Sequence, residues 1–223
     1  MYLSRIALNT KLRKTMWALA SPQVLHSAVE SSFPRNRNKE ENRVLWRIDN
    51  LADVCYLLVL STEQPDFLHI AQQFGYPHME PKWETKNYNI LLDRLKNGQV
   101  WRFRLRANPV RSSFTEKDGK TGRGKVFAHL TQEQQRQWLL SRAQAHGFSL
   151  SEDDFDVVHT EWKKFRKQNN KHEVSLRTAD FEGILTISDV ELFKRSLLSG
   201  IGRAKAYGCG LLTIARCRGD HGE

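Results

Sequence analysis

Cysteine is scarce in this chain. Three occur, Cys55, Cys209 and Cys217, with no CxxC pair and an odd total. That pattern excludes a disulfide-stapled secreted scaffold and fits a reducing compartment, so a cytoplasmic protein is expected. Long hydrophobic runs are also missing. The longest, residues 54–60, is far short of the roughly 20 apolar residues that cross a bilayer, so no membrane association by a span is expected. Four cations, Arg5, Lys11, Arg13 and Lys14, interrupt the start of the chain, where a secretory signal would need a continuous apolar stretch. No P-loop occurs. A dinucleotide fingerprint would need a glycine where Lys205 stands. None of the eight histidines lies in HExxH or at ligand spacing from a cysteine, so neither a metal site nor a cofactor is expected. No Ser-His-Asp order, nucleophile elbow or kinase signature is visible. Asp153 and Asp154 lie in a polar loop and read as solvated.

Acid is in deficit too. Thirty-five Lys and Arg face twenty-five Asp and Glu, a net charge of +10 and a pI near 9.7. Such a balance is the footprint of a polyanionic partner, nucleic acid before an anionic membrane. The cations are spread over both halves, so no detachable basic tail accounts for them.

The 223 residues allow one large domain or two of roughly 100 residues. Residues 2–9 read as a strand. Ser21-Pro22 opens a helix on which Leu25, Ala28 and Val29 share a face, and Phe33-Pro34 closes it. Alternation predicts strands over 43–49 and 99–107, and an apolar run predicts a more buried one over 53–61, with a weak helix over 65–74 before the last. Asn-Pro, Ser-Ser, Asp-Gly and two further glycines make residues 108–125 a loop and the natural boundary. Beyond it come a strand (125–129), a helix (131–146) with a Thr131/Gln134 capping box, and extended runs over 156–165 and 174–187. A helix (189–199) and a strand (211–215) follow. Each half thus reads β-α-β-β-α-β. The expectation is an α+β chain of two tandem ferredoxin-like domains, 1–109 and 110–223.

Three basic stretches invite a ligand, and each has a plain structural alternative. The segment from Gly200 to Gly210 holds Gly200, Gly202, Gly208 and Gly210 with Arg203 and Lys205. It could cradle phosphate, or only cap a helix and allow close packing. Arg102, Arg104 and Arg106 alternate onto one strand face. They are either a phosphate strip or a solvated sheet surface. Lys163, Lys164, Arg166 and Lys167 flank a hairpin tip that could enter a nucleic-acid groove or simply protect a sheet edge. His26, beside the apolar Leu25, reads on spacing alone as a structural histidine.

Several stretches together resemble the CasE family, the CRISPR-repeat-processing endoribonucleases of type I-E systems. They run from Met1-Tyr-Leu-Ser-Arg5 through Leu25-His26 with Phe33-Pro34 and Leu45-Trp46-Arg47. They continue with Phe103-Arg-Leu-Arg-Ala-Asn-Pro109, Phe181-Glu-Gly183, Gly200-Ile-Gly202 and Gly208-Cys-Gly-Leu-Leu212. The resemblance implies the tandem ferredoxin-like fold and, as substrate and partner, the stem-loop of a CRISPR repeat. It implies a metal-independent cut at the 3′ base of the stem by 2′-hydroxyl attack. It also implies that the product is retained within the interference complex, Cascade, beside its other subunits. His26 matches the family's catalytic histidine. Many members carry tyrosine three residues earlier, where this chain has Gln23; glutamine can hydrogen-bond but not titrate near neutrality. Gln23, Ser27 and Ser31 are the nearby candidates for catalytic support, and spacing does not choose between them. The rival readings are a non-catalytic hairpin-binding subunit of the same complex and an unrelated basic protein for DNA or anionic membrane.

Overall fold

The computed structural model describes residues 1–34, 36, 38, 42–113, 125–166 and 173–217. The first unit runs β1 (Tyr2–Leu8), α1 (Arg13–Ala20), α2 (Pro22–Glu30), β2 (Leu45–Leu51), β3 (Val54–Ser61), α3 (Leu68–Phe74) and β4 (Glu84–Asn87). Its sheet has the order β2-β3-β1-β4, all antiparallel, which is the ferredoxin-like arrangement. A short α4 (Asn89–Leu92) leads out of it.

The second unit begins with β5 (Val100–Ala107). A hairpin of β6 (Val110–Ser113) and β7 (Lys125–Ala128) follows, then α5 (Gln132–Ala143), β8 (Phe148–Ser149), β9 (Phe155–Arg166), β10 (Glu173–Ile187), α6 (Val190–Ser199) and β11 (Leu212–Ala215). Its sheet order is β11-β5-β10, with β9 and β8 pairing β10 on the far side. With β6 and β7 set aside as an inserted hairpin, this is the ferredoxin-like arrangement a second time.

The expectation of two such domains holds, with one strand reassigned. Val100–Ala107 was expected to close the first unit; it opens the second, between β10 and β11. The fourth strand of the first sheet is Glu84–Asn87, which pairs with β1. The sheets therefore part within residues 88–99 rather than at 109. Glu-Thr-Lys-Asn is short, polar and at an edge, so it carries no alternation to read. Helix α1 also escaped the sequence reading, because its N-cap position is Leu12, with no capping side chain and no acid in the first turn. Where caps exist, the reading holds: Thr131 and Gln134 form the reciprocal capping box of α5, and Asp189 caps α6.

The strands β1, β2 and β3 of the first sheet each bury side chains on both faces. Ile6, Leu8, Trp46, Leu57 and Val59 pack beneath α1, α2 and α3 with Leu25, Val29 and Ile70. Leu45 and Leu60 point the other way, into the core of the second unit among Phe103, Leu105, Trp138, Phe181 and Phe193. The two units thus share apolar surface.

A buried arginine joins them as well. Arg47 of β2 is 1% exposed. It donates to both carboxylate oxygens of Asp49, at 2.6 and 2.7 Å. It also donates to the carbonyls of Arg104 and Leu211, each at 2.8 Å, and to Thr213 Oγ1 at 2.7 Å. One guanidinium, whose planar fork suits several acceptors at once, fixes β2 of the first unit against β5 and β11 of the second.

Candidate nucleic-acid interface

His26 sits on α2. Pro22, Leu25 and Val29 form the buried face of that helix, which leaves His26 and Glu30, one turn apart, on an adjoining half-buried face. That face lines a cleft of about 460 Å³ shared with Arg43, Arg203 and Lys205. The cleft exists because the loop 200–210 of the second unit packs on α2 and β2. Within that loop a short 3-10 turn, Lys205–Tyr207, brings the Tyr207 ring to the imidazole, with centroids 6.2 Å apart at 68°. His26 and Tyr207 come from different units, 181 positions apart in the chain (207 minus 26).

The three support candidates bond within their own helix. Gln23 donates to Ser27 Oγ at 3.4 Å, and that hydroxyl in turn donates to the Gln23 carbonyl at 3.0 Å. Ser31 Oγ donates to the Ser27 carbonyl at 2.9 Å. These side chains are tied to their own helix, whereas Tyr207 faces the histidine. Tyr207 was missed because ring contact across two units leaves no trace in local spacing.

Three glycines of the loop serve packing. Gly200, Gly208 and Gly210 are buried, which corrects their place among the RNA-binding candidates. A Cβ on Gly208, at φ +80°, would lie 2.8 Å from the Trp46 ring, and one on Gly200, at φ +74°, 2.9 Å from Leu45. Both residues belong to β2, so these glycines let the loop close on the first unit. Gly202 alone of the four is half-buried and lines the groove.

That groove is longer than the cleft at His26. A second hollow of about 520 Å³ shares Gly202 and Arg203 with the first and continues between the β6–β7 hairpin and α5, past Arg111 and Arg142. Five cations, Arg43, Arg111, Arg142, Arg203 and Lys205, thus line one track against two carboxylates, Glu30 and Glu133. Their field is visible in the titrating groups beside them. Burial lowers the pKa of His129, and Arg111 and Arg142 lower it further. Burial likewise lowers His146, helped by Lys205 and Arg142. Lys205 is depressed by burial and by Arg43, and its ammonium donates to the Ser199 carbonyl at 2.7 Å. A track that disfavours positive charge in this way favours an anion. Arg142, which stacks over Trp138 at 4.3 Å, and Arg111 were not singled out from sequence. A Trp-x-x-x-Arg spacing on one helix face was the available signal.

Two arginines of the strip are engaged by carboxylates. Arg102, Arg104 and Arg106 do share a face, but β10 places Glu182 opposite Arg104 and Asp180 opposite Arg106. Arg106 makes a two-pronged bond to Asp180 at 2.6 and 2.7 Å. Burial opposes its charge, yet Asp180 outweighs that and the net shift is upward. Arg104 pairs with Glu182 and lies 3.7 Å from Asp49. Arg102 borders a hollow lined by Asp153, Asp154 and Asp156. Carboxylates from β10 and the loop before β9 answer the repulsion that three arginines would otherwise suffer.

The basic hairpin divides by alternation. Phe165 is buried and packs its ring on Tyr207 at 4.7 Å. Lys163 shares that face, bonded to Glu161 at 3.0 Å and to the Leu19 carbonyl at 3.4 Å. Lys164 and Arg166 are exposed on the opposite face. Lys167 lies outside the described residues. Cys209 is fully buried, and burial pushes its thiol up to about 12. Among the described residues no group of three or more His, Cys, Asp or Glu could hold a metal ion. No helix among them is long and apolar enough to cross a membrane.

The fold and the groove define a class: a tandem ferredoxin-like protein with a cationic track that reaches His26 at the seam of its units. The chain belongs to the family described as CRISPR associated protein, whose model matches residues 1–216. It is 28% identical over 225 residues to the CRISPR-associated endoribonuclease Cse3 of Thermus thermophilus, a match covering 96% of this chain and 100% of that protein. It is 24% identical over 221 residues to the CRISPR system Cascade subunit CasE of Escherichia coli K12, covering 96% and 99%. Among solved structures, Thermus thermophilus Cse3 bound to an RNA representing a pre-cleavage complex superposes with a TM-score of 0.77 at 26% identity, over 96% of this chain and 98% of that one.

Proposed function

We propose that this chain is the endoribonuclease that processes CRISPR repeat transcripts of a type I-E system in the cytoplasm. The observation that carries the reading is the cationic track ending at His26, in a chain related end to end to proteins named for that activity. The repeat's stem-loop lies along the track. A-form RNA offers little but phosphates, 2′-hydroxyls and shape, which suits a groove of guanidinium groups. The protein keeps the cleaved RNA and joins the other subunits of Cascade.

Cleavage falls at the 3′ base of the stem. The ribose 2′-oxygen attacks the adjacent phosphorus while the P–O5′ bond breaks, giving a 2′,3′-cyclic phosphate and a 5′-hydroxyl. One proton leaves the 2′-hydroxyl and one reaches the departing 5′-oxygen. Imidazole is suited to such a transfer near neutral pH. The neighbouring Arg43, Arg203 and Lys205 are placed to offset charge on the phosphorane. This route uses no metal ion. A cognate repeat hairpin incubated with the protein in excess EDTA is expected to yield products with those ends; cleavage that requires a divalent ion, or leaves a 3′-hydroxyl, overturns the mechanism.

The electrostatic share falls on the exposed cations of the track. Arg203→Ala is expected to weaken hairpin binding and reduce the slope of log K against log salt by about one unit. Titrations at several salt concentrations measure it, and an unchanged slope removes Arg203 from the interface.

A further inference from the structure

We infer that Tyr207 is a positioning residue for His26, reaching it across the seam from the second unit. The inference rests on the catalytic reading of His26. An imidazole on a helix face can turn about two side-chain torsions, and a proton transfer needs one of those orientations. Tyr207 stands edge-to-face against the His26 ring, with centroids 6.2 Å apart at 68°, a favoured arrangement for aromatic pairs.

Tyr207 is itself held. On its other side Phe165 of β9 packs at 4.7 Å and 61°. The residue that follows, Gly208, is left-handed and pressed against Trp46, and Ala204, just before the turn, is left-handed as well. The backbone that presents the ring is thus fixed from both units, and the ring transmits that fixity to the histidine. Gln23, Ser27 and Ser31 cannot do the same, since each is bonded within its own helix. The acting feature is the aromatic ring rather than the hydroxyl.

The test compares Tyr207→Phe and Tyr207→Leu in the full chain, with single-turnover cleavage and equilibrium binding of a cognate repeat hairpin. Tyr207→Phe is expected to cut within about threefold of wild type. Tyr207→Leu is expected to lose about 100-fold in rate, the scale of a misplaced reacting group, with hairpin affinity within about twofold. In a His26→Ala background Tyr207→Leu is expected to add no further loss. Wild-type cleavage by Tyr207→Leu overturns the inference, as does an equal loss in Tyr207→Phe. A loss explained wholly by weaker binding overturns it too. If Tyr207→Leu does not fold, contacts between the His26 and Tyr207 ring protons, sought by NMR in wild type and the Phe variant, decide; their absence overturns it. Should His26→Ala cut at the wild-type rate, the catalytic reading itself fails, whatever Tyr207 does.

Discussion

His26→Ala is expected to slow hairpin cleavage by about 10²- to 10⁴-fold, the range attributed to a positioned acid or base, while hairpin affinity changes little. The two halves of this expectation come from different parts of the site. Binding is distributed over a track of five cations, of which none is removed. The proton step is assigned to the His26 imidazole, in the cleft at the seam and backed by Tyr207 from the second unit. Single-turnover rates with enzyme in excess, together with filter binding of the same hairpin, separate the two quantities. Equal loss of rate and affinity would place His26 among the binding residues and remove it from the chemistry.

Arg47→Met is expected to destabilise the protein by about 3–5 kcal/mol, the cost of breaking a buried ion pair by removing one partner. At this chain length that is about 6–20 °C in Tm. Asp49, 6% exposed, would keep its charge and lose the guanidinium that answers it. The carbonyls of Arg104 and Leu211 would lose a donor each. Arg104, an ion-pair partner of Asp49 at 3.7 Å that is shared with Glu182, offsets only part of that loss. Since the loss falls on the seam between β2 and β5–β11, cleavage should fall as well, because His26 and Tyr207 face each other only while that seam holds. Thermal melts of Arg47→Met and of Arg47→Met/Asp49→Leu measure the effect. The double variant should recover part of the loss, because an apolar pair leaves no buried charge alone.

Much of the fold was legible wherever side chains alternate or cap. The strand of Val54–Ser61, the α5 capping box and the glycine stop after α6 all follow from local rules. Glu84–Asn87 and α1 did not, because neither has a local signal strong enough to compete with loop. Mistaking β5 for the last strand of the first unit followed directly from missing β4. The site was legible in type and less so in detail. His26 stood out only through a family pattern, since a histidine beside a leucine on a helix is usually structural. The pairing of the arginine strip was illegible for a physical reason: Glu182 and Asp180, which hold Arg104 and Arg106, lie more than 70 positions away in sequence. Tyr207 and Arg47 act across the seam, and no window of sequence contains both sides of it. The glycine loop was read as a phosphate cradle or a packing device; its buried glycines show the second, while Arg203 and Lys205 beside them keep the first alive at the groove.

The central claim is that this groove presents an RNA hairpin for attack by its own 2′-hydroxyl. The most direct measurement is cleavage of a cognate repeat hairpin carrying a single 2′-deoxy residue immediately 5′ of the scissile phosphate. The account predicts full binding and no product from that substrate, beside rapid cleavage of the all-ribose hairpin. Cleavage of the deoxy substrate at the ribose rate would contradict it.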